Sequence, residues 1–161
     1  MSSNLRRMKT AFLACALVML AAAGAQAQRP YRLTDRQVDQ LMRNVERHSE
    51  TFRASLDSSL DQSRLDGTRR EDNINQFISD FTRANDNLRE RFNGRNSVAG
   101  DVESLLERAS RIDDFMRRNR LTTRAQSDWN VLKGDLDQLA GAYGVNWNWN
   151  RASGQSNSYP N

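Results

Sequence analysis

Few residues of this 161-residue chain belong to the types that carry chemistry. Cys15 is the only cysteine and His48 the only histidine. A protein metal site draws on several His, Cys or carboxylate ligands, and a nucleophile activated by histidine needs both partners. His48 lies on the apolar face of a predicted helix, so we interpret it as a partly buried histidine of the core. The sequence therefore predicts neither a metal site nor a catalytic histidine pair.

Motifs of hydrolytic and phosphate-binding chemistry are also missing from the sequence. It has no Gly-x-Ser-x-Gly, no phosphate-binding glycine loop and no His-Glu-x-x-His. Neighbouring carboxylates occur at Asp113-Asp114 and at Asp135 and Asp137, on helix faces that are charged throughout. We expect these carboxylates to be solvated. The chain is predicted not to be an enzyme.

A haem is the one cofactor that a single histidine could still bind, as an axial ligand. Haem proteins use His and Met as axial ligands, and this chain offers His48, Met42 and Met116. The Cys-x-x-Cys-His attachment motif is absent, and Met116 fits an ordinary core position. We predict no cofactor and keep a cofactor-carrying bundle as the third hypothesis.

Two groups of side chains are candidates for binding a partner. Four arginines cluster at the turn between the third and fourth predicted helices: Arg117, Arg118, Arg120 and Arg124. They suit an anion or an acidic partner, but cations at a helix C-terminus also complement its dipole, which is the interpretation we favour. The second group is Trp147 and Trp149. Their rings either bind a sugar or an apolar partner, or fold back over the end of the bundle, and the gain from burial favours folding back.

Amphipathic helices must position all of these residues. In the stretch Thr122 to Tyr143, apolar residues recur at alternating steps of four and three, which places them on one stripe of a helix. They are Ala125, Trp129, Leu132, Leu136, Leu139 and Tyr143. Three earlier stretches repeat the pattern, and the connections between them are short. Short connections make sequential helices antiparallel neighbours, so we predict an all-α fold, an antiparallel up-down four-helix bundle over residues 28–145.

Capping residues predict the starts of the four helices. Thr34 with Gln37, and Thr68 with Glu71, have the spacing of capping boxes. Asn96 or Ser97 is expected to cap the third helix and Thr122 or Thr123 the fourth. The four ends are expected near the following residues: Leu65, Asn93, Asn119 and Gly141.

The N-terminal segment reads as an export signal. Arg6, Arg7 and Lys9 precede an apolar run, and Ala25-Gln26-Ala27 has the small-x-small pattern of a cleavage site. The run is too short for a membrane-spanning helix, so we predict a signal peptide at 1–27, cleavage after Ala27 and a periplasmic or secreted protein with no membrane span. Cys15 is then lost, and no disulfide remains.

Cleavage also changes the net charge. The whole chain has 24 basic and 20 acidic residues, but three basic residues and no acidic residue precede Gln28. The remaining 21 basic and 20 acidic residues give a net charge of +1. Nucleic-acid binding needs a concentrated positive field, so no nucleic-acid partner is predicted.

Residues 146–161 are predicted to form a tail. Asn146 to Asn150 alternates like a strand, with both tryptophans on one side. Arg151 to Asn161 is rich in Ser, Asn and Gly, a composition typical of disorder.

The start of the first helix resembles a known family. Leu33-Thr34-Asp35-Arg36-Gln37 matches the Leu-Thr-x-x-Gln motif of the Spy/CpxP family, small periplasmic helical proteins that act as ATP-independent chaperones or envelope-stress modulators. The family carries the motif twice; here the second candidate, which begins at Leu121, has Ala125 where the family has Gln. The resemblance implies an exported helical protein that acts by binding.

Three hypotheses of function follow. The first is a non-enzymatic exported bundle, chaperone-like or related to envelope stress, that holds a protein client. The second is a structural or interaction module of the cell envelope, which forms a homo-oligomer or binds a glycan or partner through Trp147 and Trp149. The third is the cofactor-carrying bundle.

Overall fold

The apolar stripes of the sequence become four long helices. The computed structural model describes residues 32–152; the predicted signal peptide and residues 153–161 lie outside the described residues. The helices, in chain order, are α1 Asp35–Asp61, α2 Arg69–Asn93, α3 Ala99–Arg118, α4 Thr123–Ala142 and the short α5 Trp149–Ala152. No strand occurs among residues 32–152. The predicted all-α fold class is confirmed.

The local sequence sets the starts of α1 and α4 as expected. The Thr34 hydroxyl accepts a hydrogen bond from the Gln37 N–H at 3.4 Å, and the Gln37 amide oxygen accepts one from the Thr34 N–H at 3.0 Å. This is the predicted capping box. At α4, the Thr122 hydroxyl accepts from the Ala125 N–H at 3.3 Å, so Thr122 is the cap.

The turn between α1 and α2 differs from the prediction. α1 ends at Asp61, four residues before Leu65, where the Ser63 hydroxyl donates to the Leu60 carbonyl at 2.9 Å. A serine that bonds to nearby backbone in this way competes with helix continuation. The Thr68 hydroxyl donates to the Leu65 carbonyl at 2.6 Å and does not cap α2. The predicted second capping box is therefore not formed.

The start of α3 also differs. Val98 precedes the first turn, and the Asp101 carboxylate accepts from the Val98 N–H at 2.8 Å. Ser97, one of the two predicted caps, is instead buried, and its hydroxyl bonds to the Tyr143 hydroxyl at 2.9 Å. An acidic side chain of the first turn thus replaces the expected serine cap.

The four helices form a ring in which each lies beside its neighbours in sequence and α1 lies beside α4. The two ends of α1 show that it runs antiparallel to α4: the Arg32 N–H donates to the Ala142 carbonyl at 2.8 Å, and the Thr122 N–H donates to the Ser59 hydroxyl at 2.9 Å. α1 contacts α4 extensively, and α2 likewise contacts α3, whereas α1 and α2, and α3 and α4, meet less closely. The bundle thus consists of two tight pairs, joined along two looser faces.

The core contains the stripes that the sequence predicted. All six apolar residues of the α4 stripe are buried, from Ala125 to Tyr143. α1 contributes Val38, Val45, Phe52 and neighbours to the same cluster. Charged residues recur along each helix, and no segment of residues 32–152 combines the length and apolarity that a membrane span requires.

Tyr143 at the end of α4 gives a pH-dependent prediction. The ring is 4 % exposed, and burial raises the pKa of the Tyr143 phenol above 10.0, the negative charge of Asp101 adding to the effect and the Ser97 hydrogen bond opposing it. Because the unfolded phenol ionises first, the free energy of unfolding should fall as the pH rises above about 10. Tyr143→Phe should lose this part of the alkaline dependence. Urea unfolding at a series of pH values between about 9 and 11 would measure it; parallel curves for the two proteins would contradict the prediction.

Candidate functional site

Each of the four long helices places one large polar residue in its apolar stripe. His48 follows Val45 by three residues, and Asp135 follows Leu132 by three. Asn85 and Asp113 each follow a core residue by four, so both sit at positions where an apolar residue is expected. Polar groups at such positions need partners, because an unpaired buried polar group destabilises the fold.

The partners of Asp113 come mainly from α4. Asp113 is 3 % exposed, and its Oδ1 accepts hydrogen bonds from Trp129 Nε1 at 2.9 Å and from Lys133 Nζ at 2.8 Å. Its Oδ2 is buried and accepts no hydrogen bond from the described residues, but it lies 3.5 Å from Arg117 Nε. A buried carboxylate with two donors and two cations beside it is compensated for its loss of water. Asp113 thus joins α3 to α4.

The prediction of solvated carboxylates is wrong for three of the four aspartates. Asp113, Asp114 and Asp135 are buried, and only Asp137 is exposed. Asp114 pairs with Arg117 and lies 3.6 Å from Arg118 Nη2. For Asp113 and Asp114, the charged neighbours that suggested a solvated face include the cations that accompany the buried carboxylates, whereas Asp135 is buried against His48.

His48 pairs with Asp135 across the α1/α4 contact. His48 Nδ1 lies against the Asp135 carboxylate, and the His48 side chain is about a quarter exposed, in keeping with a partly buried core histidine. Within residues 32–152, no third His, Cys, Asp or Glu completes a set of three possible ligands around this pair. The pair fixes the register of two helices.

The four candidate arginines do not form a free basic patch. Arg117 and Arg118 lie beside Asp114, and Arg124 Nε lies 3.7 Å from Asp128 of its own helix. Arg120 is exposed between α3 and α4. Three of the four arginines thus lie beside a carboxylate, although Arg117 and Arg118 share Asp114, and this proximity reduces the positive field offered to an acidic partner.

Trp147 and Trp149 fold back against the bundle. Both are partly buried against the core, and the Trp149 ring meets Trp129 edge-on at a centroid distance of 6.3 Å and Trp147 at 6.0 Å. Trp149 Nε1 donates to Asp137 at 2.8 Å, and Lys133 Nζ lies 4.8 Å from the Trp149 ring centroid. These contacts use the rings within the chain, as the capping interpretation expects.

The C-terminal segment differs from the predicted tail. Asn146 to Asn150 is not a strand, and Trp149–Ala152 forms α5. Arg151 and Ala152, which were expected to be disordered, belong to this helix, which lies against α3. Contacts of Trp149 with the core override the alternating pattern, because an isolated strand has no sheet to pair with. This segment covers the looser face between α3 and α4.

The other loose face, between α1 and α2, contains a groove. One part, of about 190 Å³, has an apolar floor of Phe52, Ile78, Phe81 and Leu132. A second part, of about 570 Å³, shares Arg53, Ile78 and Thr82 with the first and continues towards the end of α1. At the other end, Arg89 of α2 lies within 3.5 Å of Glu46 and 3.7 Å of Asp39 on α1. The groove is thus bounded by this ion-pair bridge and runs along α1 to Asp61.

Asn85 of α2 lines the groove. It is 6 % exposed, and its side chain forms no hydrogen bond with any residue of the described part of the chain. His48, Asp113 and Asp135 all have partners on another helix. Of the four polar residues that interrupt the apolar stripes, Asn85 is the one that has no partner on another helix within residues 32–152.

Three carboxylates meet near the turn that follows the groove. Oxygens of Asp61, Asp66 and Glu71 lie within 4.8 Å of one another. Two of these residues are exposed, and the Glu71 carboxylate also accepts from the Gly67 N–H at 2.6 Å. Exposed acidic groups of this kind are common at turns, and we assign no metal to them; they add negative charge to this end of the groove.

Sequence reasoning missed Asn85 and Lys133, and it wrongly expected Asp113 and Asp135 to be solvated. Asn85, Asp113 and Asp135 carried a signal, since each interrupts an apolar stripe at a core step. Lys133 had the signal of being the only lysine after residue 9. Which of these residues would have a partner was not readable from spacing, because the partners lie on other helices.

Removal of the Asp113 carboxylate should destabilise the bundle strongly. Asp113→Ala leaves the Trp129 N–H and the Lys133 ammonium without their acceptor, and we expect a loss of about 3–5 kcal/mol in the free energy of unfolding. Glu107→Ala on the exposed side of α3 is the matched control and should change it by less than about 0.5 kcal/mol. Urea unfolding followed by circular dichroism measures both. Equal effects of the two substitutions would contradict the pairing described here.

The contact between Lys133 and Trp149 should be measurable as a coupling energy. In a double-mutant cycle of Lys133→Met and Trp149→Leu, we expect a favourable coupling of about 0.5–1 kcal/mol. A control cycle of Trp149→Leu with Arg69→Met, on a helix that α5 does not contact, should give additive effects. Zero coupling in the first cycle, or an emission maximum of free tryptophan in the native protein, would show that the Trp149 ring is not held against the bundle.

Comparisons with protein-family models, with curated proteins and with solved structures found no match. The resemblance to the Spy/CpxP family therefore rests on Leu33 to Gln37, and within the described residues this motif is the capped start of α1.

Proposed function

We propose that the chain is an exported, non-enzymatic helical-bundle protein that acts by binding another protein, in a chaperone-like or envelope-stress role. The observation that carries the proposal is the groove between α1 and α2. The equivalent face between α3 and α4 is covered by the protein's own Trp147 and Trp149. The α1/α2 face has an apolar floor and no covering segment among residues 32–152.

The polar clusters of the bundle support a binding role over a catalytic one. Asp113 is engaged with Trp129 and Lys133, and Asp135 is engaged with His48. Each contact ties two helices together, and this accounts for the burial of these carboxylates without any reaction. The predicted signal peptide and the resemblance of Leu33 to Gln37 to a family of periplasmic chaperones agree with such a role.

The rest of the surface favours selective binding over general capture of unfolded chains. Among the described residues, the large hydrophobic side chains that are exposed are Val98 and Val131. Two separate valines do not form the continuous apolar patch that unspecific binding of unfolded protein requires.

An aggregation assay tests the proposal. The protein from Gln28 onward, at a near-equal molar ratio, should suppress the aggregation of a reduced test protein, as measured by light scattering. Reduced test proteins of high and of low isoelectric point serve as the two clients, and an equal mass of serum albumin serves as the control. Absence of suppression for both clients would remove the chaperone-like function.

A further inference from the structure

The groove between α1 and α2 has a composition that selects among protein partners. We propose that it binds a basic amphipathic helical segment of a partner protein, and that the Asn85 amide hydrogen-bonds a polar group of this segment. The inference rests on the proposed function, and it specifies the class of partner and the residues that recognise it.

The Asn85 amide has hydrogen-bonding groups that the described chain does not use. An amide offers two N–H donors and one carbonyl acceptor, and in this chain all of them lack a partner among the described residues although Asn85 is 6 % exposed. The two amide atoms are not sealed from solvent, so a group that enters the groove can reach them. Because Asn85 lines the groove, a polar group of a bound segment reaches it.

The groove is lined by more carboxylates than cations. Four exposed carboxylates line it and form no ion pair with any residue of the described chain: Glu50, Asp57, Asp61 and Asp86. Arg53 is the unpaired arginine among the lining residues, since Arg83 pairs with Asp80. The excess of negative charge attracts a positively charged partner and repels an acidic one.

The length of the groove suits a helical segment. It follows α1 from Glu46 to Asp61, and at 1.5 Å per residue this is about 22 Å. A helix of about 15 residues has this length. Its apolar residues would lie over Ile78, which at 8 % is the most exposed apolar residue of the floor, while its lysines and arginines would reach the carboxylates at the edges of the groove.

Three synthetic peptides of about 18 residues, long enough to span the groove, are the probes. The first is an amphipathic helix with leucines at steps of three and four, one glutamine at the centre of this face to meet the Asn85 amide, and lysines at its polar positions. The second has the same leucines with glutamates, and the third is a scrambled version of the first without an apolar face. Fluorescence anisotropy of labelled peptides should show binding of the first peptide, with the other two at least tenfold weaker. Equal binding of all three would overturn the proposal.

Two variants test the assignment of the groove. Asn85→Leu removes the amide and keeps a side chain of similar size; it should weaken binding of the basic peptide about tenfold, or about 1.4 kcal/mol, while the thermal midpoint does not fall. The double variant Glu50→Gln, Asp57→Asn should weaken binding to a similar extent and reduce its dependence on salt. The matched controls are Asn130→Leu and the double variant Glu103→Gln, Glu107→Gln, which alter exposed residues of α4 and α3. They should bind like the unchanged protein.

Three outcomes of these measurements would overturn the proposal or part of it. If the groove variants bind the basic peptide as tightly as the controls do, the groove is not the site. If Asn85→Leu lowers the thermal midpoint and changes binding by less than twofold, Asn85 is a structural residue and its proposed role is wrong. If light scattering shows a dimer that the groove variants dissociate, the occupant is a second copy of this chain, and the proposal of a basic partner is overturned.

Failure of this inference is distinguishable from failure of the proposed function. If the unchanged protein suppresses aggregation and the groove variants do so equally, binding stands as the function and the groove assignment is wrong. If the unchanged protein neither suppresses aggregation nor binds the basic peptide, both are wrong.

Discussion

A carboxylate inside a helical bundle must be paired, and the looser side of this bundle is built around that requirement. Asp113 lies at a core position of α3, where burial would disfavour its charge, and Trp129 and Lys133 of α4 donate to it. The Lys133 ammonium in turn lies over the Trp149 ring, and Trp149 Nε1 bonds to Asp137. The C-terminal segment thereby becomes part of the core. One buried charge thus determines how α3, α4 and α5 meet.

The same requirement explains two other polar pairs inside the bundle. His48 and Asp135 pair across α1 and α4, and Ser97 pairs with Tyr143 where the α2–α3 connection meets the end of α4. Directional contacts of this kind contribute less to stability than apolar burial does, but they distinguish one register of the helices from its neighbours. Apolar stripes supply the attraction between helices; the polar residues within them determine which alignment is adopted.

The bundle is asymmetric because one of its two looser faces is covered by the C-terminal segment and the other is not. Trp147 and Trp149 cover the face between α3 and α4. Between α1 and α2, ion pairs of Arg89 join the two helices at one end. Beyond them lies a groove with an apolar floor and acidic edges. The Asn85 amide in this groove forms no hydrogen bond with any residue of the described part of the chain, and for this reason we propose the binding surface there.

The sequence by itself determined the four helices, the caps at Thr34 and Thr122 and the buried stripe of α4, because helix periodicity and capping are local properties that spacing records. Short connections then left little choice but an up-down bundle. Only the tertiary structure decided the fate of the polar residues: that Asp113 and Asp135 are buried, that Asn146 to Asn150 folds back instead of forming a strand, and that Asn85 has no partner. These outcomes depend on groups that lie far apart in the chain, such as Asp135 and His48 at a separation of 87 residues, and local spacing carries no information about contacts at that distance.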